Sequence, residues 1–480
     1  MFNVSPTRAM AGALALAFSL AAAPLRAAAA DPPLLTLANA LELAQRRSRQ
    51  LAGQDAAAAA AREMAVAAGQ LPDPTLKAGV NNLPIDGADR FSLTRDFMTM
   101  RSVGVMQEFT HGDKRKARSA RFEREAGVAE AGRAVTLANL QRDTAVAWLE
   151  RHFQESMRQR LLDQRAEAAL QVEAADAAYK GGGGGGAGRG VNGTLADVFA
   201  ARSAVASVDD RIRQIDIQIA TAKTKLGRWV GGDADLPLAT PPDMGTVPWQ
   251  SGSLETHLEH HPQVMLMASQ EAVARADADI ARSSKQSDWT VEVMVSQRGP
   301  AYSNMVSVNV SVPLQWDQKN RQDRELAARL ALAEQIRAQR EELTREHLAE
   351  ARAQLQQWQG NRGRLTQYGS SLSPLAAERT QASVVAYRGG SGALAAVLEA
   401  RRMEVELRID RLRLEMETAV LWARLRYLIP DVIPGVIVDV IADVIPAAIP
   451  AAIPAAIPAA IPAAIQPPIP AAGQAKEPQR

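Results

Sequence analysis

The sequence predicts a mostly α-helical chain with a small β part, laid out as two internal repeats of one plan. Three observations carry that prediction. Aromatic residues make up only 4% of the 480 residues, while alanine, arginine, glutamate and glutamine dominate long stretches; that composition suits extended helices packed through small side chains. Four short segments alternate apolar and polar residues with the period of a β-strand. The order helix, strand, strand, long helix, glycine turn, helix reads twice along the chain. The formal net charge of +2 gives no reason to expect nucleic acid as a partner. With no cysteine, the chain has no disulfide, no Cys-based metal site and no lipidated N-terminal cysteine.

Residues 1–30 read as a signal peptide: Arg8 supplies the basic start, "AMAGALALAFSL" the apolar segment, and "AAAA" before Asp31 the small-residue cleavage site. No later stretch approaches ~20 uninterrupted apolar residues, so no membrane-spanning helix is expected and any membrane passage must use a barrel. The first repeat covers 31–245. A helix is predicted over 36–70 behind Thr36 as N-cap, and "LPDP" at 71–74 stops it. "TLKAGVN" (75–81) puts Leu76, Ala78 and Val80 on one face and Thr75, Lys77, Gly79 and Asn81 on the other. After a polar loop, 102–109 puts Val103, Val105 and Phe109 on one face. From Lys114 to Tyr179 the chain is helical for roughly 65 residues, on the order of 100 Å. "AAYKGGGGGGAGRGVNGTLADVFAAR" (177–202) follows, then a helix from Thr194 to Trp229 closed by two glycines.

The second repeat covers 246–429. Its helix is predicted over 253–287. "WTVEVMVSQ" (289–297) faces Trp289, Val291, Val293 and Val295 one way and Thr290, Glu292, Met294 and Ser296 the other. In 304–315, Val306, Val308, Val310, Val312 and Leu314 alternate with Ser307, Asn309, Ser311 and Pro313. A long helix over 319–386, the "YRGGSG" turn and a helix over 393–428 complete the plan. "FTHGDKRKARSA" (109–120) lines up with "LQWDQKNRQDRE" (314–325), Tyr179 with Tyr387, and Ala201-Arg202 with Ala400-Arg401. The glycine run lacks a following Gly-Lys-Ser/Thr and sits between two helices, which argues for a helix–turn–helix tip rather than a phosphate loop. A low-complexity Pro/Ala/Ile tail covers 430–480, where "IPAAIPAAIPAAIP" carries proline at every fourth position, which forbids an α-helix.

Four strands cannot seal a barrel alone, because two unpaired edges would remain in lipid. Valines on one face with Ser, Asn, Thr and Glu on the other is the pattern of a water-filled barrel wall. The alternative is a small soluble sheet. The missing strands of a barrel must come from other copies of the chain.

The repeat order, "HPQV" opening the second unit, "MQEFTHGDKRKARSARFEREA" after the first strand pair, and two Tyr…Gly…Ala-Arg tips resemble the TolC-type outer membrane efflux proteins over about residues 34–429. "QEFTHGDKRKAR" is similar to the version found in heavy-metal efflux systems. The resemblance implies a homotrimer whose twelve strands close an outer membrane β-barrel, continued by a long periplasmic α-helical barrel. It implies no enzyme activity and no cofactor, a periplasmic adaptor and an inner-membrane transporter of the resistance-nodulation-division type as partners, and export of heavy-metal cations. The alternatives are a drug-efflux or type I secretion channel and, from another class, a periplasmic coiled-coil adaptor.

Candidate sites follow. Lipid-facing positions of the barrel are Val103, Val105, Val291, Val293, Val306, Val308 and Val310. By resemblance, Tyr179, Gly193, Leu195, Tyr387, Gly390 and Leu394 form adaptor-contacting tips. Asp197 and Glu399 fall where the family closes its periplasmic entrance, with Ala396 standing where a further acid would be; both acids also read as solvated helix-face residues. No catalytic constellation and no metal site emerge beyond the following candidates. His257, His260 and His261 in "HLEHH" have i, i+3, i+4 spacing that can put imidazoles on one helix face, against a structural role at a helix start. Met98, Met100 and Met106 offer soft thioethers to Cu(I) or Ag(I), against ordinary packing.

Overall fold

The computed structural model describes residues 34–181, 194–248 and 254–430. The signal-peptide reading, most of the glycine tract with Gly193, and the tail beyond Pro430 lie outside these residues.

The first repeat opens with α1 (Leu37–Arg47), capped as expected by Thr36, whose Oγ1 accepts from the Asn39 amide at 3.1 Å. The single helix expected over 36–70 is two helices, because Ser48 ends α1 and caps α2 (Arg49–Ala68), its Oγ accepting from the Leu51 amide at 3.3 Å. A serine hydroxyl competes with the helical backbone and favours such a boundary. Strand β1 (Thr75–Asn81) has the expected limits, and β2 (Met100–Phe109) begins two residues before the expected 102. Helix α3 (Gly112–Gly181) is 70 residues long, which corresponds to about 105 Å at 1.5 Å per residue. It is followed by α4 (Leu195–Val230) and a short 3₁₀ turn at Gly231–Asp235.

In the second repeat the helix expected over 253–287 is also two: α5 (Leu254–Leu258) and α6 (Pro262–Ser283). Pro262 disfavours the α region for its predecessor, and His261 has an extended backbone with ψ 130°. Strands β3 (Trp289–Gln297) and β4 (Met305–Ser311) follow, β4 ending short of the expected 315. Pro313 has no amide hydrogen to extend the ladder. The helix expected over 319–386 is α7 (Gln322–Gln367), one π-helical turn (Tyr368–Leu372) and α8 (Ser373–Arg388). Pro374, the second residue of α8, removes one donor and crowds the carbonyl four residues before it, which a π-bulge relieves. Helix α9 (Leu394–Arg426) closes the plan.

The strands form one antiparallel sheet in the order β1-β2-β3-β4, joining the two strand pairs. Its register stacks like on like: Val103 faces Val295, Val105 faces Val293, and Val293 faces Val308. Around the helices the main core gathers Trp148, Leu149, Phe153, Leu226, Trp358, Leu421 and Trp422. The segments before α1 and after α4 are laced onto it by backbone acceptors. Trp148 Nε1 donates to the Leu35 carbonyl (3.1 Å), Arg151 donates to the carbonyls of Ala234 and Leu236, and Trp422 Nε1 donates to the Thr246 carbonyl (2.9 Å). Towards the tips aromatic packing gives way to charge: Arg158–Asp216, Arg165–Asp209 and Arg202–Asp176 link α3 to α4. Small helix-facing residues with flanking ion pairs let two long helices run side by side without a thick core. Among the described residues no helix is long and apolar enough to cross a membrane.

Candidate functional site

The sheet is inverted relative to a soluble protein. Its apolar face is bare: Val306, Val308 and Val310 keep 68%, 64% and 63% of their surface exposed, and Val103, Val105, Val293 and Val295 are exposed beside them, with Val291 half-buried. On the other face Ser102 and Ser296 are each only 4% exposed. There Lys77 pairs with Glu292 at 3.3 Å and Asn81 Nδ2 donates to Ser102 Oγ at 2.9 Å. Burying polar side chains while leaving a continuous valine surface open is costly in water, so the valine face requires an apolar neighbour. Phe109 and Trp289 stack at 4.4 Å at the helix-proximal end of the sheet, and Trp316 is almost wholly exposed just beyond β4. Amphipathic aromatic rings at the rim of an apolar band are favoured at a membrane interface. The junction with α3 is clamped by Asp288, which takes the Lys114 ammonium at 2.5 Å and the His111 amide at 2.9 Å.

At the far end of the helices, Tyr179 is exposed in the last turn of α3 and Leu195 is exposed at the first position of α4. In the second repeat, Tyr387 is half-buried in the last turn of α8, and Leu394 opens α9. Between them the Gly390 amide donates to the Tyr387 carbonyl (3.0 Å) and the Gly392 amide to the Ala386 carbonyl (3.0 Å). Gly390 has φ +73°, the left-handed conformation a helix C-terminus reserves for glycine.

Asp197 has a local task at the tip. Its carboxylate accepts from the Thr194 amide (2.9 Å) and hydroxyl (2.8 Å) while Thr194 caps the Asp197 amide, a complete capping box. The Thr194 amide, then its hydroxyl, hold this exposed carboxyl below the usual carboxylate range. The matching positions of the second repeat are Ala393 and Ala396, and α9 starts without a side-chain cap. Glu399 is exposed and lines a groove of about 500 Å³ between α3, α4 and α9, near Glu167, Arg401 and Arg402. Asp197 and Glu399 therefore occupy different turns of their helices.

The three histidines do not share a helix face, a correction to the i, i+3, i+4 reading. Helix α5 ends at Leu258, and His261 becomes the N-cap of α6, its Nδ1 accepting from the Gln263 amide at 3.3 Å. The His261 ring is buried against His347 of α7, with centroids 4.3 Å apart. Burial, then the charge of His347, push the His261 pKa down to about 4. Nothing in the local spacing of "HLEHH" announces His347, which the fold alone supplies. Among the described residues no cluster of three or more His, Asp or Glu side chains could hold a metal ion. Of the three methionines singled out, Met100 and Met106 lie in β2 and Met98 is exposed in the loop before it.

No family model matches the chain, and no curated protein matches it. Solved structures do. The outer-membrane channel OprN superposes with a TM-score of 0.67 at 15% identity, over 82% of this chain and 90% of that one. The outer membrane protein VceC from Vibrio cholerae gives 0.66 at 18% identity, over 82% and 95%. CusC, studied for its folding and transmembrane channel formation, gives 0.61 at 15% identity, over 81% and 91%. At these identities the likeness establishes a shared fold.

Proposed function

We propose that this chain, which carries the fold of the TolC-type outer membrane channels, is the outer membrane conduit of a tripartite efflux system that exports heavy-metal cations. One observation carries the channel reading: a four-stranded sheet whose valine face is bare and whose polar face is partly covered, with β1 and β4 both open at its edges. Open edges are intolerable in lipid, so copies must pair β4 of one with β1 of the next. Three copies place twelve strands in the wall, within the range of bacterial barrels. Helices of ~105 Å continuing from the sheet are long enough to form a periplasmic tunnel. The channel itself needs no catalysis and no cofactor; an inner-membrane transporter supplies energy and selects cargo, and an adaptor meets the tips near Tyr179, Leu195, Tyr387, Gly390 and Leu394. Asp197 and Glu399 contribute acidic groups near the periplasmic mouth. The likeness of "QEFTHGDKRKAR" to heavy-metal systems supports the cargo assignment.

The test is recovery of the full chain from outer membranes as a heat-modifiable trimer that opens ion-conducting channels in planar bilayers. Fractionation as a soluble periplasmic protein would refute it. Metal sensitivity of a strain lacking the chain, reversed by the intact chain, tests the cargo separately.

A further inference from the structure

The methionines of the sheet are sorted by face. The face bearing Lys77, Ser102, Glu292, Ser296 and Asn309 also holds Met100, Met106, Met294 and Met305, and these are its only large apolar side chains. The opposite face carries leucine, valines, Phe109 and Trp289, and no methionine. If an apolar filler were all that was needed, either face would accept either residue type. Methionine differs from valine in its polarisable thioether and its three torsions.

Register aligns three of these side chains. Met106 is opposite Glu292, Met294 is opposite Gly104 and Ser307, and Met305 is opposite Ser296. Met106, Met294 and Met305 are therefore diagonal neighbours on β2, β3 and β4, and diagonal positions on one face are about 7–8 Å apart. Flexible side chains at that spacing can turn two sulfurs to one ion. Gly104 lets the Met294 backbone approach closely, since a Cβ there would lie 3.0 Å from the Met294 Cβ, and the Glu292 carboxylate beside Met106 is balanced by Lys77. The chain has no cysteine, so thioethers are its only sulfur ligands.

We propose that Met106, Met294 and Met305 form a thioether row that binds soft monovalent cations, Ag(I) or Cu(I), on the inner wall of the barrel. Soft thioethers select such ions over harder cations that prefer nitrogen and oxygen. A row of weak sites suits passage, since a conducted ion must leave each site as readily as it enters. The proposal rests on the channel reading, because only in a closed barrel does this face meet a water-filled lumen.

The experiment records potassium conductance of the reconstituted full-length trimer in chloride-free nitrate buffer, with and without silver nitrate. Silver is expected to reduce the conductance reversibly, and zinc nitrate at the same concentration is expected to leave it unchanged. The M106L/M294L/M305L variant, close in volume, should conduct potassium normally and lose the silver response. A conducting wild type indifferent to silver, or a triple variant blocked like wild type, overturns the row while leaving the channel reading intact. Absence of any conductance overturns both. Should the triple variant not assemble, methyl-carbon NMR of labelled methionines in the wild-type trimer decides: silver must shift the resonances of these three, and unmoved resonances refute the row.

Discussion

A histidine at a helix N-cap, buried against a second imidazole, has lost the water that would stabilise its proton and gained a neighbour that repels it. His261 is in that position, with the His347 ring packed against it at a tilt and its pKa down to about 4 from the ordinary 6.5. Between these values the unfolded chain binds more protons at this site than the folded chain. Stability is therefore full above pH 6.5 and is lost as pH falls towards 4, by about 1–3 kcal/mol. His261→Asn keeps a capping acceptor and removes the titration, so the melting temperature of that variant should change less between pH 7 and pH 5 than wild type; an unchanged slope would assign the effect elsewhere. Asp197 poses a second question at this scale, since the capping box uses its carboxylate and the proposed acidic mouth would need the same group. Thr194→Ala removes half the capping box, and loss of an N-cap hydroxyl costs about 1 kcal/mol; amide exchange in the first turn of α4 should accelerate. Asp197→Asn with Glu399→Gln keeps acceptors and removes charge. Reduced cation selectivity in bilayers, with α4 still protected, is the expected signature of an acidic mouth.

The sheet is the element on which the membrane reading turns. Val308 lies at the middle of the bare face, opposite Val293. An arginine at the mid-bilayer position of a barrel wall costs about 2–4 kcal/mol. Val308→Arg and Val293→Arg should each reduce trimer yield in membranes, whereas a soluble sheet would accept both. Gly104 tests the packing between strands instead. A Cβ there would lie 2.6 Å from the Val293 carbonyl oxygen and 2.9 Å from the Met294 Cα, but one at Gly79 meets nothing within 4 Å. Gly104→Ala should therefore weaken the β2–β3 pairing and the heat resistance of the assembly, with Gly79→Ala as the unaffected comparison on the same face.

At the scale of the whole molecule, the two ends of the long helices present different surfaces, and the proposed function gives them separate duties. The sheet end carries the apolar band and the Lys114–Asp288 clamp; the other end carries exposed side chains on turns held by backbone hydrogen bonds. Assembly and partner docking should then be separable. Tyr179→Ser with Tyr387→Ser is expected to leave trimer yield and conductance unchanged while abolishing co-purification with the adaptor and export in cells. Loss of the trimer in this variant would give the tips a structural role.

Local chemistry was enough to read most of the elements from the sequence alone. The alternation in 75–81 and 289–297 returned both strands to the residue, because period two is a property of neighbouring positions. The helix interruptions that were missed turn on single residues with context-dependent outcomes: Ser48, which splits a helix; Pro262, which splits another; and Pro374, which is absorbed by a π-turn. The valine and polar faces were legible as faces, and the pattern put the valines outward, but a small soluble sheet remained the alternative. Which face stands open depends on the curvature and covering of four strands drawn from both repeats. The pairs Lys77–Glu292, Lys114–Asp288, Arg211–Glu406 and His261–His347 likewise join residues remote in sequence. Periodicity fixes the side of a strand or helix on which a residue lies; only the tertiary structure, by bringing distant segments into register, decides what it meets there.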